Sequence, residues 1–352
     1  MANHLKTKFA EKLTQAARRE SVVANRFTTD YNFTGAKTLQ VMTVVTQPMN
    51  DYQRSGTNRY GNPQELQDTV QELTVTQDKS FAVTVDRGNN EDQGRIKSAV
   101  KQLIKAQLGE RAVPLQDQYS LEKLAYGAGK IVTGAALTKD NVMERITAGT
   151  TALDDAEIPE NGRTLWVTAS VYGLIKRAPE LEKVENVAEK ALTKGIVGKI
   201  DNMIVIKVPA SRMPTGVNFI IGHRNSGTMP SKIADTKTHK DPPGLSGVLI
   251  EGRYYYDAFV IGVRAGGIYA DVSGTVLAAP TINATTGALS GVSGATYHYT
   301  TDGSDPRYSK TAVTGAAPVL ETGVATVIKA YATKEGSFPS PVAELTVTKA
   351  SA

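Results

Sequence analysis

One amphipathic segment, predicted as a helix over about 90–109, most constrains what this chain can fold into. Its apolar side chains recur at helical spacing, and basic residues cover its other faces. The apolar positions are Ile96, Val100, Leu103, Ile104 and Leu108. Gly109 and Pro114 predict that the helix ends there, and a shorter helix follows, since glycine favours helix ends and proline lacks an N–H. The segment divides a strand-rich stretch from a mixed one.

The residues before this helix predict strands and one long loop. Residues 39–46 are rich in β-branched side chains, and residues 48–63 are polar and turn-forming. Strands are then predicted over 70–76 and 81–86, with Asp78 and Lys79 in the turn between them. Because an isolated two-stranded ribbon is marginal in water, we expect this one to lean on something outside its own subunit.

Residues 2–25 predict a weakly amphipathic helix, and two interpretations stay open for it. It is either a solvated terminal helix, which composition favours, or an arm that lies along a neighbouring subunit. After the long helix, the pattern predicts a helix over 139–152, strands at 164–168 and 217–221, and a strand pair over 196–208 that turns at Asp201 and Asn202. No regular βαβ period appears, so the sequence predicts an α+β class.

The amino-acid composition and the predicted secondary structure change at residue 274. From there the chain is rich in small and β-branched residues, with alternating strands predicted at 295–300, 325–332 and 342–347. Short strands at regular spacing are typical of a sandwich, so residues 274–352 are predicted to form a small all-β immunoglobulin-like domain. The preceding domain is then 1–273.

Composition argues against most chemical functions. The chain has no cysteine, and its four histidines are scattered, so no disulfide and no metal site is predicted. The nearest approach to a phosphate loop, residues 126–130, lacks the required spacing. His223 and Arg224 mark either a pocket or, as the sequence favours, a surface loop. We therefore predict no catalytic residue, no cofactor and no enzyme activity.

Charge and hydropathy bound the partners. The net charge of +5 lies entirely in residues 1–273, because the remaining tail has equal numbers of acidic and basic residues. This excess is compatible with facing a polyanion without sequence specificity. No apolar run is long enough to span a membrane, and no apolar segment follows the basic N-terminus, so neither a membrane partner nor a secretory signal is predicted.

Five stretches resemble, in the same order, parts of tailed-bacteriophage major capsid proteins with the HK97-like fold. Residues 50–90 resemble the extended E-loop, and residues 158–167 resemble the turn and strand that enter the axial domain. Residues 195–205, 245–253 and 256–260 resemble later strands of the family. The resemblance implies an N-arm over about 1–47, an E-loop over about 48–87, a peripheral domain on the spine helix, and an axial A-domain over about 132–250.

This resemblance also implies a function. Such a protein self-assembles into pentamers and hexamers of an icosahedral shell that encloses phage double-stranded DNA. It assembles in the bacterial host cytoplasm, with scaffolding and portal proteins as partners, and resides in the virion. Arg54, Arg59 and Tyr60 of the E-loop would contact an adjacent subunit. Some relatives crosslink through a lysine and an asparagine; Lys79 lies near the loop, but no such pairing is predicted.

The tail resembles the immunoglobulin-like domain at the C-terminus of chitobiases and other bacterial surface proteins, on residues 299–306. On a coat protein this domain would decorate the outside of the shell, either passively or by holding host-surface glycans. Tyr297, Tyr299 and Tyr331 could stack on sugars, or they could be core residues, which their alternation favours.

Two other functions stay open. The first is an encapsulin-type compartment, which shares the fold and encloses protein cargo; the appended tail domain counts against it. The second is a carbohydrate-binding surface protein, which the tail suggests and which the missing secretory signal and missing paired acids oppose.

Overall fold

The computed structural model describes residues 20–31, 33, 36–44, 49–61, 68–88, 99–179 and 196–350. The described residues form two compact units. The first holds the described residues within 1–35, 75–260 and 266–273, and the second holds those within 36–74, 261–265 and 274–352. Strands outnumber helices in both, so the predicted α+β class is confirmed.

The elements of the described residues have the following bounds. The strands are β1 (Thr38–Val44), β2 (Asp68–Thr74), β3 (Gln77–Asp86), β4 (Lys130–Thr133), β5 (Arg163–Thr168), β6 (Ile196–Ile200), β7 (Met203–Val208), β8 (Val217–His223), β9 (Gly227–Thr228), β10 (Ser231–Lys240), β11 (Gly247–Tyr256), β12 (Phe259–Val260), β13 (Ile268–Val272), β14 (Thr281–Ile282), β15 (Leu289–Ser290), β16 (Thr296–Thr300), β17 (Val313–Thr314), β18 (Ala325–Thr333) and β19 (Ala343–Thr348). The helices are α1 (Ala99–Gln107), α2 (Val113–Tyr126), α3 (Val142–Asp155) and α4 (Ala169–Ile175), with a π turn at Leu108–Ala112 and 3-10 turns at Arg224–Ser226 and Gly262–Gly267.

A six-stranded sheet carries the core of the first unit. Its strand order is β4-β13-β8-β5-β7-β6. The central strands β5, β8 and β13 are buried along nearly their whole length, so both faces of the sheet are covered. The predicted strand pair around Asp201 and Asn202 is confirmed as β6–β7, and both turn residues have positive φ (48° and 60°), as a two-residue hairpin with the twist of its strands requires.

Helix α3 lies on this sheet and approaches it closely at a glycine. Val142, Ile146 and Leu153 of α3 join the buried cluster that includes Phe219 and Ile221. A Cβ atom at Gly149 would lie 2.6 Å from Cδ1 of Ile221 and 3.2 Å from Cδ1 of Tyr269. Helix α3 can therefore lie this close to the sheet only because residue 149 has no side chain.

We expect Gly149→Val to lower the free energy of unfolding by about 1–3 kcal/mol, the usual cost of overpacking a core. Gly173→Val is the matched control, because Gly173 is also helical, on α4, and a Cβ atom added there would meet no heavy atom within 4 Å; we expect it to change stability by less than about 0.5 kcal/mol. Urea unfolding of the unassembled chain measures both. Equal effects of the two variants would contradict the close approach at Gly149.

The long helix does not end where the sequence predicts. From Ala99 to Tyr126 it continues as α1, the π turn and α2, so the predicted end at Gly109 is wrong. The N–H of Val113 donates to the carbonyl of Leu108, five residues back. This wider turn lets the helix pass Pro114, which has no N–H to donate and stands in the first turn of α2. The predicted start near residue 90 lies outside the described residues.

The strands before the helix pair differently from the prediction. Residues 70–76 and 81–86 do not form a ribbon together: β2 pairs with β1, whereas β3 pairs with β11, which also pairs with β10. The residues between β2 and β3 bind elsewhere: the buried carboxylate of Asp257 accepts hydrogen bonds from the backbone N–H of Thr76 (2.7 Å) and from the hydroxyl of Tyr119 (2.8 Å). Burial and the Asp257 contact raise the pKa of Tyr119 to about 12. Asp78 and Lys79 are not in a turn but in β3, where Arg253 donates to both carboxylate oxygens of Asp78.

The N-terminal segment of the described chain is bound within the first unit. Residues 20–25 are not helical, so this end of the predicted helix is wrong, and residues 1–19 lie outside the described residues. Nε1 of Trp166 donates to the carbonyl of Val22 (3.0 Å), and Phe27 stacks on the Trp166 ring at 5.4 Å. The only tryptophan of the chain thus holds this turn-rich segment against the central sheet.

A buried ion pair fixes the same segment. The carboxylate of Asp117, on α2, accepts from the hydroxyl of Ser21 (2.6 Å), the N–H of Val22 (3.0 Å) and Nη1 of Arg212 (2.8 Å). The side chains of Asp117 and Arg212 are 0% and 4% exposed. Burial raises the pKa of Asp117, while these three donors act in the opposite direction by stabilising its charge.

The second unit contains the β1–β2 hairpin and the C-terminal strands. The hairpin is antiparallel and in register from Thr38 opposite Thr74 to Val44 opposite Asp68. In the C-terminal region β17-β16-β18-β19 form a four-stranded antiparallel sheet, and β14 pairs with β15. The three predicted strands at 295–300, 325–332 and 342–347 are confirmed as β16, β18 and β19. An apolar cluster that includes Tyr299 and Ile328 lies within this region.

Candidate inter-subunit contact surface

The β1–β2 hairpin exposes apolar side chains that a folded chain normally covers. Met42, Met49, Tyr52 and Tyr60 are 66%, 98%, 52% and 85% exposed. They are four of the ten large apolar side chains exposed among the described residues, although they lie within 19 consecutive positions. A concentration of exposed apolar groups in one segment is typical of a protein-binding surface.

The loop of residues 49–61 has a defined internal structure. The N–H of Gln53 donates to the carbonyl of Arg59 (3.0 Å), and the N–H of Gly61 donates to that of Asn58 (2.9 Å). Asn58 and Gly61 have positive φ, 58° and 87°. A Cβ at Gly61 would lie 2.7 Å from Nδ2 of Asn50, so a glycine is needed there to close the loop. We call residues 49–61 the tip loop.

The three sequence-predicted contact residues lie on this tip loop. Arg54, Arg59 and Tyr60 are all exposed, and Nε of Arg59 donates to the carbonyl of Gly56 (3.2 Å). Tyr60 meets Tyr52 edge to face with ring centroids 5.0 Å apart. The tip loop thus presents an aromatic pair together with two guanidinium groups, a combination enriched at the centres of protein interfaces. Their contact with an adjacent subunit stays a prediction.

Sequence reasoning missed three members of this surface. Met42, Met49 and Tyr52 sit in a strand and a polar stretch, where nothing in the local pattern distinguishes an exposed methionine from a buried one. The signal that could have found them is the combination of large apolar residues with turn formers in a loop of that length, because such a loop has no core of its own to cover them.

A second concave surface lies on the three-stranded sheet of the first unit. A groove of about 600 Å³ crosses β10, β11 and β3, and Phe81, Asp235, Lys237 and Glu251 are among its lining residues. Its polar side chains are paired: a ring nitrogen of His239 lies 3.2 Å from the Glu251 carboxylate, and the ammonium of Lys237 lies 3.9 Å from the Asp235 carboxylate. Paired, solvated charges of this kind suit a wet contact surface rather than acid–base chemistry.

The described residues contain no group of three metal-ligating side chains. No described helix is both long and apolar enough to cross a membrane. His223 does not lie on a surface loop, so that expectation is wrong: its side chain is buried, one ring nitrogen lies 3.0 Å from the Asn161 carbonyl, and the other accepts from the N–H of Asn225. These bonds hold the turn after β8 and leave His223 a structural role.

The three tyrosines of the predicted glycan contact have different surroundings. Tyr299 is 7% exposed and belongs to the apolar cluster of the C-terminal region. The hydroxyl of Tyr297 accepts from the N–H of Val292 (2.9 Å) and donates to its carbonyl (3.0 Å). Tyr331 is partly buried and stacks on His298 at 5.0 Å. These contacts favour the core interpretation, and glycan binding stays a prediction.

No protein-family model and no curated protein matches this chain. Solved structures do match. One titled Mycobacterium phage Che8 has a TM-score of 0.62 at 18% identity, covering 77% of this chain and 98% of its own. The capsid structure of the cyanophage P-SCSP1u has a TM-score of 0.60 at 12% identity, covering 77% of this chain and 93% of its own. The asymmetric unit of the bacteriophage PhiM1 mature capsid has a TM-score of 0.55 at 12% identity, covering 76% and 91%. The chain shares the fold of these phage proteins.

Proposed function

We propose that this chain is the major capsid protein of a tailed bacteriophage, which self-assembles into pentamers and hexamers of an icosahedral shell around double-stranded DNA. One observation carries the proposal: solved phage capsid chains fit almost whole, at 91–93% of their own length, onto about three quarters of this chain. A fold hosts many functions in general, so the fold alone would be a weak argument. The exposed tip loop adds a site-level argument that points the same way.

In HK97-like terms each part of the structure has a role. The β1–β2 hairpin with its tip loop is the E-loop, which then covers about 38–74 instead of the 48–87 expected from the resemblance, because β3 pairs with β11. The helix that runs into α1 and α2 is the spine, and the six-stranded sheet belongs to the axial domain. Arg54, Arg59 and Tyr60 contact an adjacent subunit, so surface that is exposed in the monomer becomes buried in the shell. Association then rests on many modest interfaces rather than on any chemical step, and the chain is not an enzyme.

The remaining partners follow from charge and from length. The basic excess of residues 1–273 faces packaged DNA through non-specific electrostatics. The solved structures leave 23% of this chain uncovered, close to the share that residues 274–352 make up. This supports an added C-terminal domain, which we place on the outside of the virion as an immunoglobulin-like decoration. Scaffolding and portal proteins assist assembly in the host cytoplasm.

The proposal is tested by expressing the full chain in a bacterium and separating the lysate on a sucrose gradient. A capsid protein sediments as particles far larger than a monomer, and a monomer peak alone, even with phage lysate added as a source of scaffold, would contradict the proposal. Nuclease treatment of native particles separates the alternatives: protected DNA supports a virion, whereas particles filled with protein and free of nucleic acid would indicate an encapsulin-type compartment.

Proteolysis offers a site-level prediction. Arg54 and Arg59 are exposed in the single chain, so trypsin is expected to cleave after both. Assembly should bury them, and we expect cleavage at these two bonds to slow at least tenfold in purified particles, as measured by mass spectrometry of timed digests. Lys334 is an internal reference, because it is exposed on the C-terminal region that we place outside the shell. Equal slowing at Lys334 and at the arginines would argue against specific burial of the tip loop.

A further inference from the structure

The outer edge of β2 is held by a turn of the C-terminal region. Residues 305–310, which we call the clamp turn, reach β2 twice through one residue. The N–H of Lys310 donates to the carbonyl of Val70 (3.1 Å), and Nζ of Lys310 lies 2.6 Å from Oε1 of Glu72. Glu72 is also held from the other side, since Nε2 of Gln40 on β1 donates to it (2.8 Å). The hydrogen bond from Lys310 is the main cause that lowers the pKa of Glu72.

A second contact joins the residue between Val70 and Glu72 to the segment 261–265. The N–H of Gly262 donates to Oε1 of Gln71 (2.9 Å), so Val70, Gln71 and Glu72 are each bonded outside the hairpin. Gly262 in turn lies against the clamp turn. A Cβ at residue 262 would lie 2.6 Å from Cβ and 2.8 Å from Cγ of Tyr308, so only glycine allows this approach.

The contact is polar and incompletely packed. A cavity of about 190 Å³ runs along it, and Thr43, Val70, Val263 and Tyr308 are among its lining residues. An ion pair with 51% and 36% exposed side chains contributes little to the stability of the whole chain. A contact made of a few hydrogen bonds beside a cavity can break without unfolding the chain. It is therefore suited to orienting the β1–β2 hairpin and contributes little to the stability of the fold.

We propose that the clamp turn positions the β1–β2 hairpin, so that the C-terminal region acts as an internal guide for assembly and not only as a decoration. This inference rests on the proposed function, because the direction of the hairpin matters only if the tip loop has to reach an adjacent subunit. The stem of seven residue pairs is about 20 Å long, and a tilt of about 10° at its base would move the tip loop by about 4 Å. That displacement exceeds the tolerance of a specific interface, so a contact that holds the middle of the stem, at Val70 and Glu72, against such a tilt selects the tip position.

The positioning is tested first on the unassembled chain by hydrogen exchange of the β1 and β2 amides. We expect Lys310→Glu to speed their exchange about 2- to 5-fold, the effect of losing one exposed ion pair. Tyr308→Ala, which removes a wall of the contact, should speed it about tenfold or more. Combining Lys310→Glu with Glu72→Lys restores the pair with reversed charges and should return exchange close to wild type. Lys349→Ala is the control, because Lys349 is exposed on the same region and its side chain bonds to no described residue of the hairpin.

Assembly provides the second readout. We expect Lys310→Glu particles to be fewer and more varied in diameter than wild-type particles, the charge-swapped pair to recover uniform particles, and thermal unfolding to change little in either. Hairpin exchange that is unchanged in both Lys310→Glu and Tyr308→Ala would overturn the inference. Wild-type chain that forms no particles would instead overturn the proposed function, and the exchange data would still decide whether the clamp turn positions the hairpin.

Discussion

Replacing Asp117 by alanine is expected to lower the free energy of unfolding by about 3–5 kcal/mol, because it leaves the buried guanidinium of Arg212 without its counter-charge. The hydroxyl of Ser21 and the N–H of Val22 lose their acceptor in the same step, so the N-terminal segment loses its contact with α2. Urea unfolding followed by the fluorescence of Trp166 measures the loss, since this ring packs against the same segment.

Two further variants make the Asp117 prediction specific. Asp155→Ala removes an exposed carboxylate from the end of α3 and should change stability by less than about 0.5 kcal/mol. The double variant Asp117→Ala with Arg212→Ala should cost less than the sum of the two single changes, because it leaves no buried charge unpaired. Strict additivity, or a loss below about 1 kcal/mol for Asp117→Ala alone, would show that this pair does not anchor the segment.

The second large effect is expected on assembly. Changing Tyr52 and Tyr60 together to alanine should raise the protein concentration needed for shell formation about 30-fold or more, because an aromatic anchor at the centre of an interface typically contributes about 2 kcal/mol or more. The fold should be unaffected, since both rings are exposed and contact each other rather than the core. Light scattering across a concentration series measures the threshold.

The matched control for the tip loop is Val319→Ala. Val319 is 92% exposed and lies in the C-terminal region, so its truncation removes exposed apolar surface outside the hairpin. We expect an unchanged assembly threshold for this variant. A tyrosine double variant that assembles at the wild-type concentration would refute the role of the tip loop, and a comparable rise with Val319→Ala would show that the effect is not specific to it.

The local sequence pattern predicted many of the strands and helices, but it failed where contacts between residues far apart in sequence determine the pairing. The β6–β7 hairpin followed from Asp201 and Asn202, because a two-residue turn is a local device. The pairing of β3 could not be read in the same way, since its partner β11 lies more than 160 positions along the chain and Asp257 turns the chain away from β2. The π turn was missed because Gly109 and Pro114 ordinarily end a helix. Only the structure shows that the five residues of the π turn connect α1 to α2, so that the helix continues through Pro114.

The candidate site was predictable in part for the same reason. Length and polarity identified the loop, whereas Arg54, Arg59 and Tyr60 entered only through the resemblance to phage capsid proteins, and their contact role stays a prediction. The exposure of Met49 could not be predicted, because it depends on which surfaces the rest of the chain leaves uncovered. The contacts of Lys310 with β2 join positions about 240 apart in sequence, and no local sequence pattern around Lys310 or in β2 predicts them.

Electron microscopy of the purified full-length chain tests the central claim most directly. If this protein is a capsid protein, the samples should show closed, uniform shells tens of nanometres across, and averaged images of frozen particles should place each tip loop against a neighbouring subunit. Monomers or irregular aggregates at every concentration, with phage scaffold present as well as absent, would contradict the account.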